Sequence, residues 1–188
     1  MNFYKVAVKA VNAILHVFIL FKVKGKENIP DKGAFLLCPN HRAFRDPVLA
    51  AAGCHRQLTF MAKDDLFDKP FLGWLIKKLG AFPIKRGRGD AAAVMAAIKI
   101  MKRGEPTLIF PEGKRVAKGE KAQVNPGIIR LAIQANVPIL PAYVTGNTVT
   151  YGEPIYYGDY AEQAQNADVM QSLTDELMEK IYSLGTVK

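Results

Sequence analysis

His41 and Asp46, with four residues between them in the cluster Asn40-His41-Arg42-Ala43-Phe44-Arg45-Asp46, pair an imidazole base with a carboxylate able to orient it. General-base catalysis uses this combination. The cluster closes a short apolar run, and four further runs end the same way. Lys63 follows Leu58-Thr59-Phe60-Met61, Arg86 follows Phe82-Pro83-Ile84, Glu112 with Lys114 and Arg115 follows Leu108-Ile109-Phe110, and Asn147 follows Ile139 to Val144. In open α/β sheets ligands sit beyond the carboxyl ends of the strands, so these clusters are expected to meet in one crevice. A His–Asp pair among several cations suits an anionic substrate.

The elements that must position these residues alternate between strand and helix. Lys32-Gly33 opens a strand over Ala34 to Cys38, and Asp46-Pro47 has the form of an N-cap with proline at the first helical position, starting a helix to about Cys54. Gln57 to Met61 reads as a strand, Phe71 to Leu79 as a helix stopped by Gly80, and Ala81 to Ile84 as a strand. Arg86-Gly87-Arg88-Gly89 then leads to Asp90, an N-cap for the helix Ala91 to Arg103. Thr107 to Phe110 is a short buried strand, Asn125-Pro126 caps a helix to about Ala135, and Val137 to Val144 is the next strand, with Pro138 and Pro141 marking it as an edge. Met170, Leu173, Leu177, Ile181 and Leu184 form one apolar stripe of a last helix, which packs on the sheet and carries no chemistry. The expected fold is therefore α/β: a single domain with a mostly parallel central sheet flanked by helices.

The chain has 188 residues, 49% of them hydrophobic and 23% charged, which fits one domain with a full core. Its net charge of +9 favours a polyanionic partner without choosing among nucleic acid, anionic membrane and phosphorylated substrate. Cys38 and Cys54 lack metal or redox spacing and sit in apolar context, as small buried residues of an intracellular protein do.

From Phe3 to Phe21 the apolar residues are interrupted mainly by Lys5, Lys9, Asn12 and His16, which make one narrow polar stripe on a helix. The segment is too short and too striped to span a bilayer, and Lys22, Lys24 and Lys26 follow it in place of a cleavage site. It reads as an amphipathic membrane-interface helix over residues 1–23, before an enzymatic domain over 24–188. Packing of that helix on its own domain is the competing expectation.

The order His41-x4-Asp46, then Lys63 with Pro70, Gly73, Gly80, Ile84 and Arg86, then Phe110-Pro111-Glu112-Gly113, then Val137-Pro138-Ile139-Leu140-Pro141, resembles the 1-acylglycerol-3-phosphate acyltransferase (PlsC-like) family of glycerolipid acyltransferases. The four motifs occur in sequence across about residues 38 to 142. The resemblance implies a glycerophosphate acyltransferase-like α/β fold and peripheral attachment to the cytoplasmic face of the cell membrane. It also implies transfer of a fatty acyl group from a thioester to the free sn-2 hydroxyl of 1-acylglycerol-3-phosphate (lysophosphatidic acid), giving phosphatidic acid. Lys114, Arg115 and Val116 stand where such enzymes commonly have Thr-Arg-Ser, and Pro126-Gly127 replaces a Lys-Gly pair, departures that bear on the acceptor.

For such a transfer His41 would take the hydroxyl proton as the ester bond forms, and Asp46 would hold its tautomer and stabilise the imidazolium. No Ser or Cys occupies a G-x-S-x-G elbow, so direct transfer without an acyl-enzyme is expected. Lys63, Arg86 and Arg115 are candidates for the phosphate, arginine being suited to bidentate oxygen recognition. By resemblance, Glu112 and Gly113 shape the acceptor pocket. No cofactor or metal is expected; acyl-CoA and acyl-acyl carrier protein both remain open as co-substrate, since a basic surface suits either. One catalytic His with scattered carboxylates supplies no zinc ligand set. Dispersed cations without a recognised nucleic-acid motif argue against a nucleic-acid partner. Acylation of another lysolipid or an aminolipid, or non-enzymatic binding of anionic lipid, stay as alternatives.

Overall fold

The computed structural model describes residues 3–186 apart from residues 5, 9–12, 14–19, 85–90, 118–119 and 121–123. Seven strands form one sheet in the order β1-β7-β6-β2-β5-β3-β4: β1 (Lys22–Lys24), β2 (Leu36–Pro39), β3 (Thr59–Lys63), β4 (Ala81–Ile84), β5 (Thr107–Leu108), β6 (Ile139–Thr145) and β7 (Thr148–Tyr151). All neighbours are parallel except β6 and β7, which form an antiparallel hairpin. The connecting helices are α1 (Asp46–Gly53), α2 (Pro70–Lys78), α3 (Ala91–Lys102) and α4 (Gly127–Ala135), with α5 (Ala167–Ser183) closing the chain. β2 shows why its residues make a central strand: Leu36, Leu37, Cys38 and Pro39 are all buried, as in parallel sheets covered on both faces. Leu36 and Cys38 pack with α3, α4 and α5 on one face, while Leu37 packs with α1 on the other.

Two strands escape the sequence reading. β1 pairs in parallel with β7, Lys22 to Thr148 and Lys24 to Thr150, and so straddles the expected boundary at residue 23. Its lysines are exposed, as suits an edge strand. The Thr-Val-Thr-Tyr alternation of β7 follows a turn at Gly146-Asn147, and its side chains alternate between half-buried and buried. With β7 and β1 beyond it, β6 is interior, correcting the edge assignment drawn from its prolines. Pro141 is tolerated because its missing N–H falls between the end of the β6–β7 ladder and the isolated Ile139–Ile155 bridge, while its carbonyl still accepts the Gly152 N–H at 2.9 Å. The true outer strand opposite β1 is β4, which carries Pro83.

At the N-terminus, Phe3, Tyr4, Val6, Ala7, Val8 and Ala13 are helical, whereas Lys5, Lys9, Asn12 and His16 of the expected polar stripe lie outside the described residues. Tyr4 is buried in the domain, and its hydroxyl accepts the Leu58 N–H at 3.1 Å. Burial, against that bond, pushes the Tyr4 hydroxyl up to about 12. Phe21 is buried in the α1-side core. Among the described residues no helix is long and apolar enough to cross a membrane.

Candidate active site

The register of the sheet assembles the site. Leu37 of β2 pairs with Leu108 of β5, and His41 and Glu112 each stand four residues past that pair, so both emerge side by side at the carboxyl edge. Asn40 sets the point of departure. It is fully buried, and its side chain continues the ladder to β6, accepting the Val144 N–H at 2.6 Å and donating to the Val144 carbonyl at 3.2 Å. His41 is the next residue, and its backbone is held from both sides by the segment after β5. Its N–H donates to Glu112 Oε2 at 2.7 Å, and its carbonyl accepts the Val116 N–H at 2.8 Å.

The His41 ring stacks on Phe110, with centroids 3.9 Å apart at 23°. Nδ1 lies 3.3 Å from Asp46 Oδ2. A carboxylate only accepts, so this contact places the imidazole proton on Nδ1 and leaves the Nε2 lone pair for a substrate. The side chain is 16% exposed, enough to be reached and too little to reorient freely.

Asp46 differs from the expected helix cap. Its Oδ2 turns backward and also accepts the backbone N–H groups of Arg42 and Ala43, at 2.6 and 2.7 Å, while the N-cap position of α1 is Arg45 and has no side-chain cap bond. The carboxylate thus closes the loop that presents His41. Burial alone would raise its pKa, but the His41 bond and the two N–H groups outweigh it and hold the carboxyl below the usual carboxylate range.

Glu112 is buried, and both of its oxygens are engaged: Oε2 with His41 N–H and Oε1 with the Tyr182 hydroxyl, which donates at 2.6 Å. Burial pushes the Glu112 carboxyl up, against the bonds from Tyr182 and His41 and the nearby charge of Arg42. Gly113 takes the left-handed conformation, φ 64°, as its N–H turns back to the Phe110 carbonyl at 3.0 Å. Arg115 is exposed, and its guanidinium lies 3.6 Å from the centroid of Phe44, itself 81% exposed within the His41–Asp46 loop. Lys63 ends β3, one strand beyond β5, in register with Ile84. Arg86 lies outside the described residues, as do the Arg88 loop and the Asp90 cap. Asn147 serves the fold: its side-chain amide donates to the Leu20 carbonyl at 2.9 Å and its own carbonyl accepts the Lys22 N–H.

Three contributors were not legible in sequence. Tyr182 comes from α5, whose apolar stripe gave no hint that the residue beside Ile181 reaches the site. Arg42 lies with its guanidinium 5.8 Å from the Tyr143 ring centroid, and Tyr143 meets Tyr182 edge-on at 6.4 Å. Replacing Tyr182 by phenylalanine is expected to cost about 1.5–3 kcal/mol, the worth of a hydrogen bond to a charged group. It removes a bond that lowers the Glu112 pKa, so Glu112 would protonate at a higher pH and the acid limb of the pH–rate profile would move upward. A thermal melt beside a pH–rate profile measures both; an unmoved acid limb would confine Tyr182 to packing.

Fold and site together define an α/β domain with a His–Asp pair at the carboxyl edge of a mostly parallel sheet. The family model described as Acyltransferase matches residues 20–145, and the chain belongs to that family. A Bacillus subtilis relative named 1-acyl-sn-glycerol-3-phosphate acyltransferase is 28% identical over 96% of both chains. A Streptococcus pneumoniae protein of the same name is 35% identical over 70% of this chain and 52% of its own length. The crystal structure of the 1-acyl-sn-glycerophosphate (LPA) acyltransferase PlsC from Thermotoga maritima superposes with a TM-score of 0.67 at 22% identity, covering 93% of this chain and 81% of that one, and matches the fold.

Proposed function

We propose that the protein transfers a fatty acyl group from an acyl thioester to the sn-2 hydroxyl of 1-acylglycerol-3-phosphate, yielding phosphatidic acid and a free thiol. The observation that carries this reading is the His41 ring, stacked on Phe110 with Nδ1 at Asp46, which leaves Nε2 as the basic nitrogen of the ring. Nε2 takes the hydroxyl proton as the oxygen attacks the thioester carbonyl. Collapse of the tetrahedral intermediate expels the thiolate, which recovers that proton from the imidazolium while Asp46 stabilises the cation. Direct transfer is favoured because Cys38 and Cys54 are buried and burial pushes their thiols up, to about 11 for Cys54, far from a reactive thiolate. Lys63, Arg86 and Arg115 form the cationic set for the phosphate, and Glu112 with Gly113 shapes the acceptor side. The names of the relatives support the acceptor. Acyl-CoA and acyl carrier protein serve equally well as donor in this reading, which places the enzyme on the cytoplasmic membrane face.

Incubation of the purified protein with lysophosphatidic acid and each thioester, with mass analysis of the lipid, is expected to give phosphatidic acid. Acylation of only other lysolipids in a parallel panel, or none, overturns the assignment. In the same assay Arg86→Ala is expected to raise the apparent KM for a phosphate-bearing acceptor roughly 10- to 100-fold, as loss of a charged hydrogen bond would, and more than for an acceptor without phosphate. Equal losses would remove Arg86 from the phosphate site.

A further inference from the structure

Helix α2 exposes its largest side chains. Phe71 is 75% exposed and Trp74 50%, and their rings lie 6.3 Å apart on one stripe that continues to Lys78. A soluble surface gains nothing from presenting two aromatic rings side by side, since each forgoes the stabilisation that burial of its apolar area would return. The patch does not stand alone: Phe3 of the N-terminal helical segment, 40% exposed, meets Trp74 edge-on at 5.6 Å. Both β2 and β3 run parallel to β5, so the chain leaves β3 toward α2 at the same carboxyl edge from which the His41 loop leaves β2, and the N-terminal half of α2 stands at the active-site end of the sheet.

We infer that the Phe71–Trp74 ridge of α2, with Phe3 beside it, is a membrane-seating face that rests in the headgroup layer of an anionic bilayer and brings the crevice to its lipid substrate. This rests on the acyltransferase reading given above. The charges favour a bilayer over a protein partner. Helix α2 carries Lys77 and Lys78 at its C-terminal end and no acid; Asp64, Asp65 and Asp68 all precede it; and the chain has a net charge of +9. Lysine stems lie along apolar surface while their ammonium groups reach outward, and Lys77 already lies 5.9 Å above the Phe67 ring. Tryptophan, an apolar ring with one donor, is the side chain most suited to the boundary between acyl chain and water. The seat is therefore not confined to the first segment of the chain: a folded helix of the catalytic domain shares it.

Trp74 is the only tryptophan in the chain, so its fluorescence reports this face without labelling. The full-length protein is mixed with vesicles of phosphatidylcholine and phosphatidylglycerol, plain or with acyl chains brominated near the headgroup. The expected result is a blue shift on binding, quenching by the brominated lipid and protection from aqueous iodide. Phe71→Ser, shown by a melt to be folded, is expected to weaken vesicle partition about tenfold. The inference is overturned if bound protein leaves Trp74 open to iodide and untouched by bromine, which would assign attachment to another segment. A concentration-dependent blue shift without lipid would assign the face to a second copy of the chain and also overturn it. Acyl transfer to a short-chain, monodisperse lysophosphatidic acid is measured in parallel. Transfer without quenching overturns the seating face alone, and quenching without transfer overturns the catalytic reading alone.

Discussion

Replacing Asp46 by asparagine is expected to lower acyl transfer at least about 10²-fold while the protein stays folded. One oxygen, Oδ2, receives three contacts: the backbone N–H groups of Arg42 and Ala43 and the Nδ1 side of His41. An asparagine carbonyl can still accept the two backbone N–H groups, so the loop survives. The negative charge that stabilises the imidazolium does not, and general-base catalysis is worth typically 10²–10⁴-fold. His41→Ala should lose a comparable factor. The pH dependence adds a separate signature. The Asp46 carboxyl is held below its ordinary value, so the native chain binds its proton less readily than the unfolded chain. The stability it contributes is present above about pH 4 and is lost as pH falls through the depressed native value. The wild-type melting temperature should thus fall more steeply below about pH 4 than that of Asp46→Asn. Near-normal turnover in the asparagine variant would reduce Asp46 to a loop clasp.

A protein beginning at Lys24 is expected to lose about 6–10 kcal/mol, or not to fold, instead of simply detaching from membranes. Phe21 and Tyr4 are each 3% exposed, and removing a buried aromatic typically costs 3–5 kcal/mol. The truncation also removes Lys22 and Val23 from β1 and leaves the Leu58 N–H without the Tyr4 hydroxyl. A loss of that size approaches the whole stability of an ordinary domain. A protein beginning at Leu20 keeps Phe21 and β1 and should fall by only about half as much. Thermal melts of both against the full chain decide the matter. A melting temperature for the shorter one within a few degrees of wild type would restore the picture of a detachable anchor.

Strongly punctuated elements were legible in the sequence. Gly80 and the Ala-rich run fixed the ends of α2 and α3, and β4 lies where Ala81 to Ile84 predicts it. The His41–Asp46 spacing announced a loop at the end of β2, and their contact follows. What was hidden depends on tertiary neighbours. Lys-Val-Lys is a strand only because β7 offers it an open edge, and Pro141 sits in an interior strand only because the next chain pulls away opposite its nitrogen. Asp46 before a proline has the local form of a cap, yet two nearby N–H groups and a histidine compete for its oxygen and win. Tyr182 joins the site across 70 residues of chain, a distance no local pattern encodes.

The two outer strands of the sheet carry different devices with one effect. β1 ends in exposed lysines on either side of Val23, and β4 breaks its own hydrogen-bonding row with Pro83. A stray strand from another molecule would face charge repulsion at one border and a missing donor at the other. The chain can therefore carry exposed aromatic rings without inviting runaway growth of its sheet. Crowded copies would stick through greasy side chains, which detergent releases, and not through the backbone ladders that make fibrils permanent.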